Sequence, residues 1–195
     1  MLSVKSKKMK KVTSLYQLFL ISCICILLLV TSGCVSSGDS QKRETDREQI
    51  NVLLDQFNEA AANADFQKYF DFFTEDAVFI GTDATENWNK KEFMTWAKPH
   101  FDNKKTWHFK SINRHLYFYD SDGYREGNLA WFDELLDTQM KICRGSGVLI
   151  KHGEQWKIQQ YVLSMTIPNS LMDSVMKIKS STEEKLLKKF RSSSH

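Results

Sequence analysis

The sequence predicts an α+β domain in which helices precede a meandering antiparallel sheet, and three observations carry that prediction. Apolar runs at Leu129 to Leu136, Ile142 to Ile150 and Trp156 to Ile167 are separated by Asp137-Thr138-Gln139 and by His152-Gly153-Glu154, the pattern of three strands joined by tight turns. Ahead of them, apolar residues recur at helical spacing in three separate stretches. The strands are apolar on both faces: Ala130, Phe132, Glu134 and Leu136 alternate with Leu129, Trp131, Asp133 and Leu135, so neither side can face water across its width. Three helices on a strongly bent sheet would make a cone, with one sheet face covered by the helices and the other left to a partner.

The chain opens on a targeting segment. Met1 to Lys11 carries five lysines and no acid, and an apolar run from Leu18 to Val30 follows, shorter than the roughly 20 residues of a membrane-spanning helix. The run ends in Thr31-Ser32-Gly33-Cys34, which resembles the lipobox of bacterial lipoproteins, with Thr31 where leucine is usual. That resemblance implies a signal peptide over 1–33 and a lipid attached to Cys34, which places the protein in the cell envelope, anchored to a membrane. Val35 to Glu44 is Ser-rich and charged without an apolar face, so 34–45 reads as a tether.

Without residues 1–33, the 27 basic and 24 acidic side chains become 22 and 24, a net charge of −2. The basicity belongs to the leader, and no nucleic-acid partner is implied. Cys23 and Cys25 leave with the leader, which leaves Cys143 alone in the domain, a thiol in an apolar strand with no pattern that would activate it.

In the domain itself, Thr45-Asp46-Arg47-Glu48 has the spacing of a capping box, and Ile50, Leu53, Leu54, Phe57, Ala61 and Ala64 then share one helical face. Asp65 caps a short second helix through Phe66, Tyr69, Phe70 and Phe73, and Ala77 to Gly81 reads as a strand. Asn89 with Glu92 starts a third helix that turns Phe93, Met94, Trp96 and Ala97 inward and is interrupted by Pro99. Trp107 to Tyr119 is a further strand, ended by a turn at Ser121-Asp122-Gly123. The domain so delimited is 46–170. Residues 171–195, with six basic and three acidic side chains, read as a basic, solvated helical tail with Leu171, Val175 and Ile178 on one side.

Ala77 to Glu86, Ala130-Trp131-Phe132-Asp133-Glu134, Arg144 to Leu149, and Trp156-Lys157-Ile158 followed by Ser164 are similar to the SnoaL-like branch of the nuclear transport factor 2 superfamily, over about Glu48 to Asn169. The resemblance implies a cone-shaped α+β fold with a deep pocket, about three N-terminal helices on a curved, mainly antiparallel sheet, and often a homodimer through the outer sheet face. It implies no particular reaction, because the superfold hosts isomerases, cyclases, dehydratases and hydrolases as well as proteins without activity. Relatives frequently carry His in the last strand, where this chain has Gln160 and Val162.

The candidate site follows from a register in which the first hairpin turns symmetrically about Gln139. Glu134 then faces Arg144, Phe132 faces Ser146, Ala130 faces Val148, and a three-residue turn at His152 to Glu154 brings Ile158, Gln160 and Val162 to the same side. Phe132, Glu134, Arg144 and Gln160 would line the pocket, with Trp88 in a loop above it. The Glu134–Arg144 pair reads first as a cross-strand ion pair on the pocket floor, and otherwise as an anion-binding Arg144 with Glu134 orienting the ligand or acting as general base. Asp76, Asp83 and Glu86 flank the first strand, where a carboxylate base could stand, but such residues more often serve turns. The five histidines are scattered, without metal-ligand spacing, so no metal is expected and no cofactor is implied. The expected function is a lipoprotein binding a small apolar or amphipathic molecule without catalysis. The alternative is an isomerase, cyclase or hydrolase with Glu134 as base. A homodimer is expected through Leu129, Trp131, Leu135, Leu149, Tyr161 and Leu163.

Overall fold

The computed structural model describes residues 35–119 and 128–193. The leader, its processing site and the predicted turn at Ser121-Asp122-Gly123 lie outside the described residues. The chain divides into a unit ending at Ile50 and a second unit from Asn51 onward, which carries the sheet. Helix α1 spans Val35–Ala62, α2 Phe66–Asp71 and α3 Lys90–Asp102. The strands are β1 Phe73–Ile80, β2 Asn87–Asn89, β3 Phe109–Phe118, β4 Leu129–Thr138, β5 Lys141–His152 and β6 Gln155–Met165. A 3-10 turn, Asn169–Leu171, leads into helix α4, Met172–Ser193.

Local chemistry sets most of these boundaries. Asp65 caps α2 by accepting from Lys68 N, and Asn89 and Glu92 form a reciprocal capping box at the start of α3. Several starts and stops differ from the sequence expectation. The helix α1 begins at Val35, inside the stretch read as a tether, and the Thr45 hydroxyl donates to Gln41 O one turn back instead of capping. Pro99 sits within α3, which continues to Asp102, and the Asn103 side chain donates to the Pro99 carbonyl to close that end. Phe73 belongs to β1 rather than to α2, and the short β2 pairs with β1.

The sheet runs β2-β1-β6-β5-β4-β3, with β1 and β6 parallel and every other pair antiparallel. In the second unit, Leu54, Phe57 and Ala61 of α1 are buried, as are Tyr69, Phe70, Phe93 and Phe101 of α2 and α3. Phe57 contacts the rings of Tyr69, Phe73 and Tyr161, which ties these helices to one face of the sheet.

The register differs from the expected one by a single residue, with large consequences. Thr138 pairs with Lys141, so the first hairpin turns on two residues, Gln139 and Met140. The Thr138 hydroxyl accepts from Met140 N at 2.9 Å and donates to Lys141 O at 2.8 Å, holding this tight turn closed, while Lys141 takes φ 71°. Glu134 therefore faces Gly145, and Arg144 faces Leu135. The second hairpin is also short: His152 pairs with Gln155, with Gly153 at φ 61° supplying the left-handed turn residue. A bulge then falls between the Val148–Gln160 and Leu149–Ile158 pairs, so Ile158 points inward while Gln160 and Val162 do not share its face. The interior row runs through Phe132, Glu134, Leu136, Leu149, Ile158, Tyr161 and Leu163, all buried. Gly147 is required in that row: a Cβ there would stand 2.3 Å from Gln160 O and 2.8 Å from the Phe132 ring.

Candidate functional site

A cavity of about 90 Å³ opens on the helical side of the sheet. One wall comes from β1 and β6 through Phe79, Tyr161 and Leu163, and another from α1 and α2 through Phe57 and Tyr69. The roof is Trp88 at β2, Phe93 and Trp96 of α3, and Trp107 in the chain that enters β3. These rings lie close to parallel. Phe79 stacks on Phe93 at 3.9 Å and 14°, Trp88 on Trp96 at 4.8 Å and 28°, and Trp96 on Trp107 at 5.6 Å and 11°. The α3 capping box fixes the first turn of that helix, so Phe93 and Trp96 enter the stack at a set angle. The polar lining is confined to the rim at Gly81, Thr82 and Glu86 and to the two tyrosines. Glu86 folds back over Gly81 and accepts from Asp83 N at 3.1 Å.

Trp88 lies on the cavity, in the short strand β2 opposite Phe79 and not in a loop. Phe132 does not line it; its ring sits behind Tyr161 at 6.0 Å. The other expected lining residues move away. Arg144 is exposed, and Gln160, paired with Val148 on one side and Val78 on the other, belongs to the outer row. The expected Glu134–Arg144 pair is not formed, because the two-residue hairpin puts Glu134 and Arg144 on opposite faces.

Glu134 is fully buried and has a different partner. Across the β3–β4 ladder it faces Arg114, whose Nε and Nη2 both lie 2.8 Å from Glu134 Oε2. Arg114, itself 8% exposed at its side chain, also donates from Nη2 to Asp55 Oδ1 at 2.9 Å and from Nη1 to Asn51 O and Oδ1 at 3.2 and 3.3 Å. The guanidinium thus joins α1 to the sheet through charge-assisted bonds. Glu134 Oε1 and the Tyr161 hydroxyl are buried without a hydrogen-bond partner. The Tyr161 oxygen stands against Gly145, the residue that faces Glu134: a Cβ on Gly145 would lie 2.5 Å from it.

Burial raises the Glu134 pKa above its ordinary value, against the Arg114 charge and the hydrogen bonds of Arg114 and Ser111, which pull it down. Tyr161 is pushed well up, first by burial and then by the Glu134 charge, and Tyr69 is pushed up by burial alone. Of the other candidate carboxylates, Asp83 serves the turn after β1 and Asp76 stands within β1. Asp83 accepts from Thr85 Oγ1 at 2.6 Å and from Thr85 N at 2.9 Å, which lowers its pKa, while that of Asp76 is lowered chiefly by the Thr74 hydroxyl. Among the described residues, no group of three or more His, Cys, Asp or Glu is placed to hold a metal ion. Cys143 is buried, 3.6 Å from Thr138 Oγ1.

Arg114 and Tyr161 are the residues that sequence reasoning missed. Arg114 sits in a polar stretch, Ser111 to His115, and the signal for it was an inward-facing arginine opposite an inward-facing glutamate. A bulge between Ser111 and Asn113 hides that alternation. Tyr161 was placed outward because the bulge in β6 was not visible.

A SnoaL-like domain model matches residues 50–168. The chain belongs to the SnoaL-like domain family. Among solved structures, the SnoaL-like domain is similar to a candidate dehydratase of the NTF2-like family from Streptomyces avermitilis, at 14% identity and TM-score 0.54, covering 65% of this chain and 99% of that one. A domain of unknown function with a cystatin-like fold from Nostoc punctiforme has 16% identity and TM-score 0.52, covering 76% of this chain and 96% of the other. At these identities the likeness speaks for the fold. No curated protein matches the chain.

Proposed function

We propose that the SnoaL-like domain binds one small, largely apolar molecule in the aromatic cavity without turning it over, and that lipidated Cys34 holds the protein at a bacterial membrane. The observation that carries the binding reading is the stack of Trp88, Trp96, Trp107, Phe79 and Phe93 around an open space, with polar groups only at the rim and on two tyrosines. The buried carboxylate with a raised pKa is not on the cavity lining; it stands beyond Tyr161, bound to Arg114. Indole added to the purified protein should raise its melting temperature in a saturable way. Trp88→Ala should weaken that effect by roughly tenfold in apparent affinity, the loss expected for one stacked ring. Equal responses from wild type and Trp88→Ala would place binding elsewhere.

The anchor reading rests on the lysine-rich start, the short apolar run and the small residues before Cys34. Cys34→Ser should move the protein from the membrane fraction to the soluble one, and retention on the membrane would favour an uncleaved helix instead. The outer sheet face supports a homodimer, with a revised set of residues. Leu149, Tyr161 and Leu163 point into the core, whereas Trp131 stacks on Tyr117 at 5.7 Å, 42% and 44% exposed respectively, beside exposed Leu129. Trp131→Asp should convert a dimer seen by light scattering to a monomer; a monomeric wild type at high concentration removes this interface.

One observation favours the catalytic alternative. Glu134 Oε1 and the Tyr161 hydroxyl are buried without a hydrogen-bond partner, and the Glu134 charge acts on Tyr161, an arrangement able to hold and move a proton for an isomerase, cyclase or hydrolase. A carbonyl or epoxide compound converted by wild type but not by Glu134→Gln, with both proteins folded, would replace the binding reading.

A further inference from the structure

We propose that α4 is a membrane-surface helix that lays its apolar stripe on a bilayer containing anionic phospholipid. The 22-residue helix has no buried residue. At the helical period most of its apolar side chains are nevertheless gathered: Met172, Val175, Met176, Leu186, Leu187 and Phe190 fall within an arc of about 120°, in two groups either side of the Lys179–Glu183 ion pair, with Ile178 outside it. Met172 is 39% exposed, Met176 51% and Leu187 44%, while Val175 and Leu186 are half-buried, so much of this side of the helix meets solvent. Exposed apolar side chains gathered on one side of a helix are costly to leave in water and favour a surface that covers them.

Charge identifies that surface. The helix carries six basic and three acidic residues, and from Lys185 to Arg191 there are four cations and no acid. Lys179 is paired with Glu183 at 2.8 Å, whereas Lys185, Lys188, Lys189 and Arg191 form no ion pair among the described residues. Lys189 and Arg191 flank the stripe on either side, the placement that lets long cationic side chains reach phosphate while the stripe sinks among acyl chains. A second copy of α4 leaves the charge unanswered, because with six basic and three acidic residues on each helix a pair stays strongly positive in either orientation. An anionic bilayer satisfies both the stripe and the charge. The proposal does not depend on Cys34, since it concerns only the far end of the chain.

The test is co-sedimentation of the full chain with phosphatidylcholine vesicles that contain or lack phosphatidylglycerol. The leader and its lysines are common to every variant, so the quantity read is the difference between wild type and variant. The quadruple variant Lys185→Gln, Lys188→Gln, Lys189→Gln, Arg191→Gln should bind the anionic vesicles at least roughly tenfold more weakly and bind the neutral ones as wild type does. The pair Leu186→Asp and Leu187→Asp should lose binding to the same extent, with an unchanged melting temperature because α4 lies outside the core. Unaltered partition of both variants would overturn the proposal. So would an effect of the Asp pair on molar mass in light scattering without an effect on vesicles, which would make a second copy the occupant.

Discussion

Glu134→Ala is expected to lower folding stability by about 3–5 kcal/mol, the cost of leaving a buried charge without its partner. The argument rests on Arg114. With Glu134 gone, a guanidinium whose side chain is 8% exposed keeps Asp55, which is mostly exposed, and the Asn51 oxygens, but loses its fully buried acceptor. Adding Arg114→Met should recover part of the loss, because the cation is then removed together with its partner. Arg144→Met serves as the control: Arg144 is exposed on the other face, so it should change stability by less than about 0.5 kcal/mol and add simply to Glu134→Ala. Strict additivity between positions 134 and 114 in denaturant unfolding would remove the pair from this account. The same carboxyl sets a pH dependence. Its folded pKa is raised, so the native state holds the proton more tightly than the unfolded chain. The stability this contributes is present below the ordinary glutamate value of 4.5 and is lost as pH rises through the folded value. Glu134→Gln, which cannot ionise, should flatten that part of the stability profile.

Phe93→Ala is the other large effect, expected at about 3–5 kcal/mol. Phe93 is 2% exposed and lies face to face with Phe79, with the rings of Tyr69, Phe70 and Trp88 within 6.1 Å. Truncation removes the contact that joins α3 to β1 and opens space next to the cavity. Denaturant unfolding measures the first consequence. The second is a change in selectivity: a naphthalene-sized compound should gain affinity relative to indole in Phe93→Ala, since the added volume adjoins the binding space. A stability loss without any shift in selectivity would show that Phe93 supports the core but does not bound the site.

Much of the fold was legible in the sequence because its signals are local. The Asn89/Glu92 box, the Asp65 cap and the three apolar runs each depend on residues a few positions apart, and all three appear in the structure. The family resemblance also agrees with the domain match over 50–168. The site was less legible because it depends on register. A symmetric turn about Gln139 and a two-residue turn at Gln139-Met140 differ by one position, and the Thr138 hydroxyl, which holds the shorter turn closed, gives no signal in a hydropathy pattern. That one position exchanged Arg144 for Arg114 as the partner of Glu134. The β6 bulge had the same effect on Tyr161 and Gln160, sending the first inward and the second outward. Trp88 was readable as a residue of the short connection between β1 and α3, although it stands there in β2, paired with Phe79, and not in a loop.

The most direct test of the cavity as a binding site uses the five tryptophans as reporters. Fluorine NMR of the protein labelled with fluorotryptophan, assigned by single Trp→Phe substitutions, would be followed as indole is added. The account predicts that the signals of Trp88, Trp96 and Trp107 shift together and saturate, while those of Trp131 on the outer sheet face and Trp156 in the core stay in place. Shifts confined to Trp131, or none at any tryptophan, would contradict it.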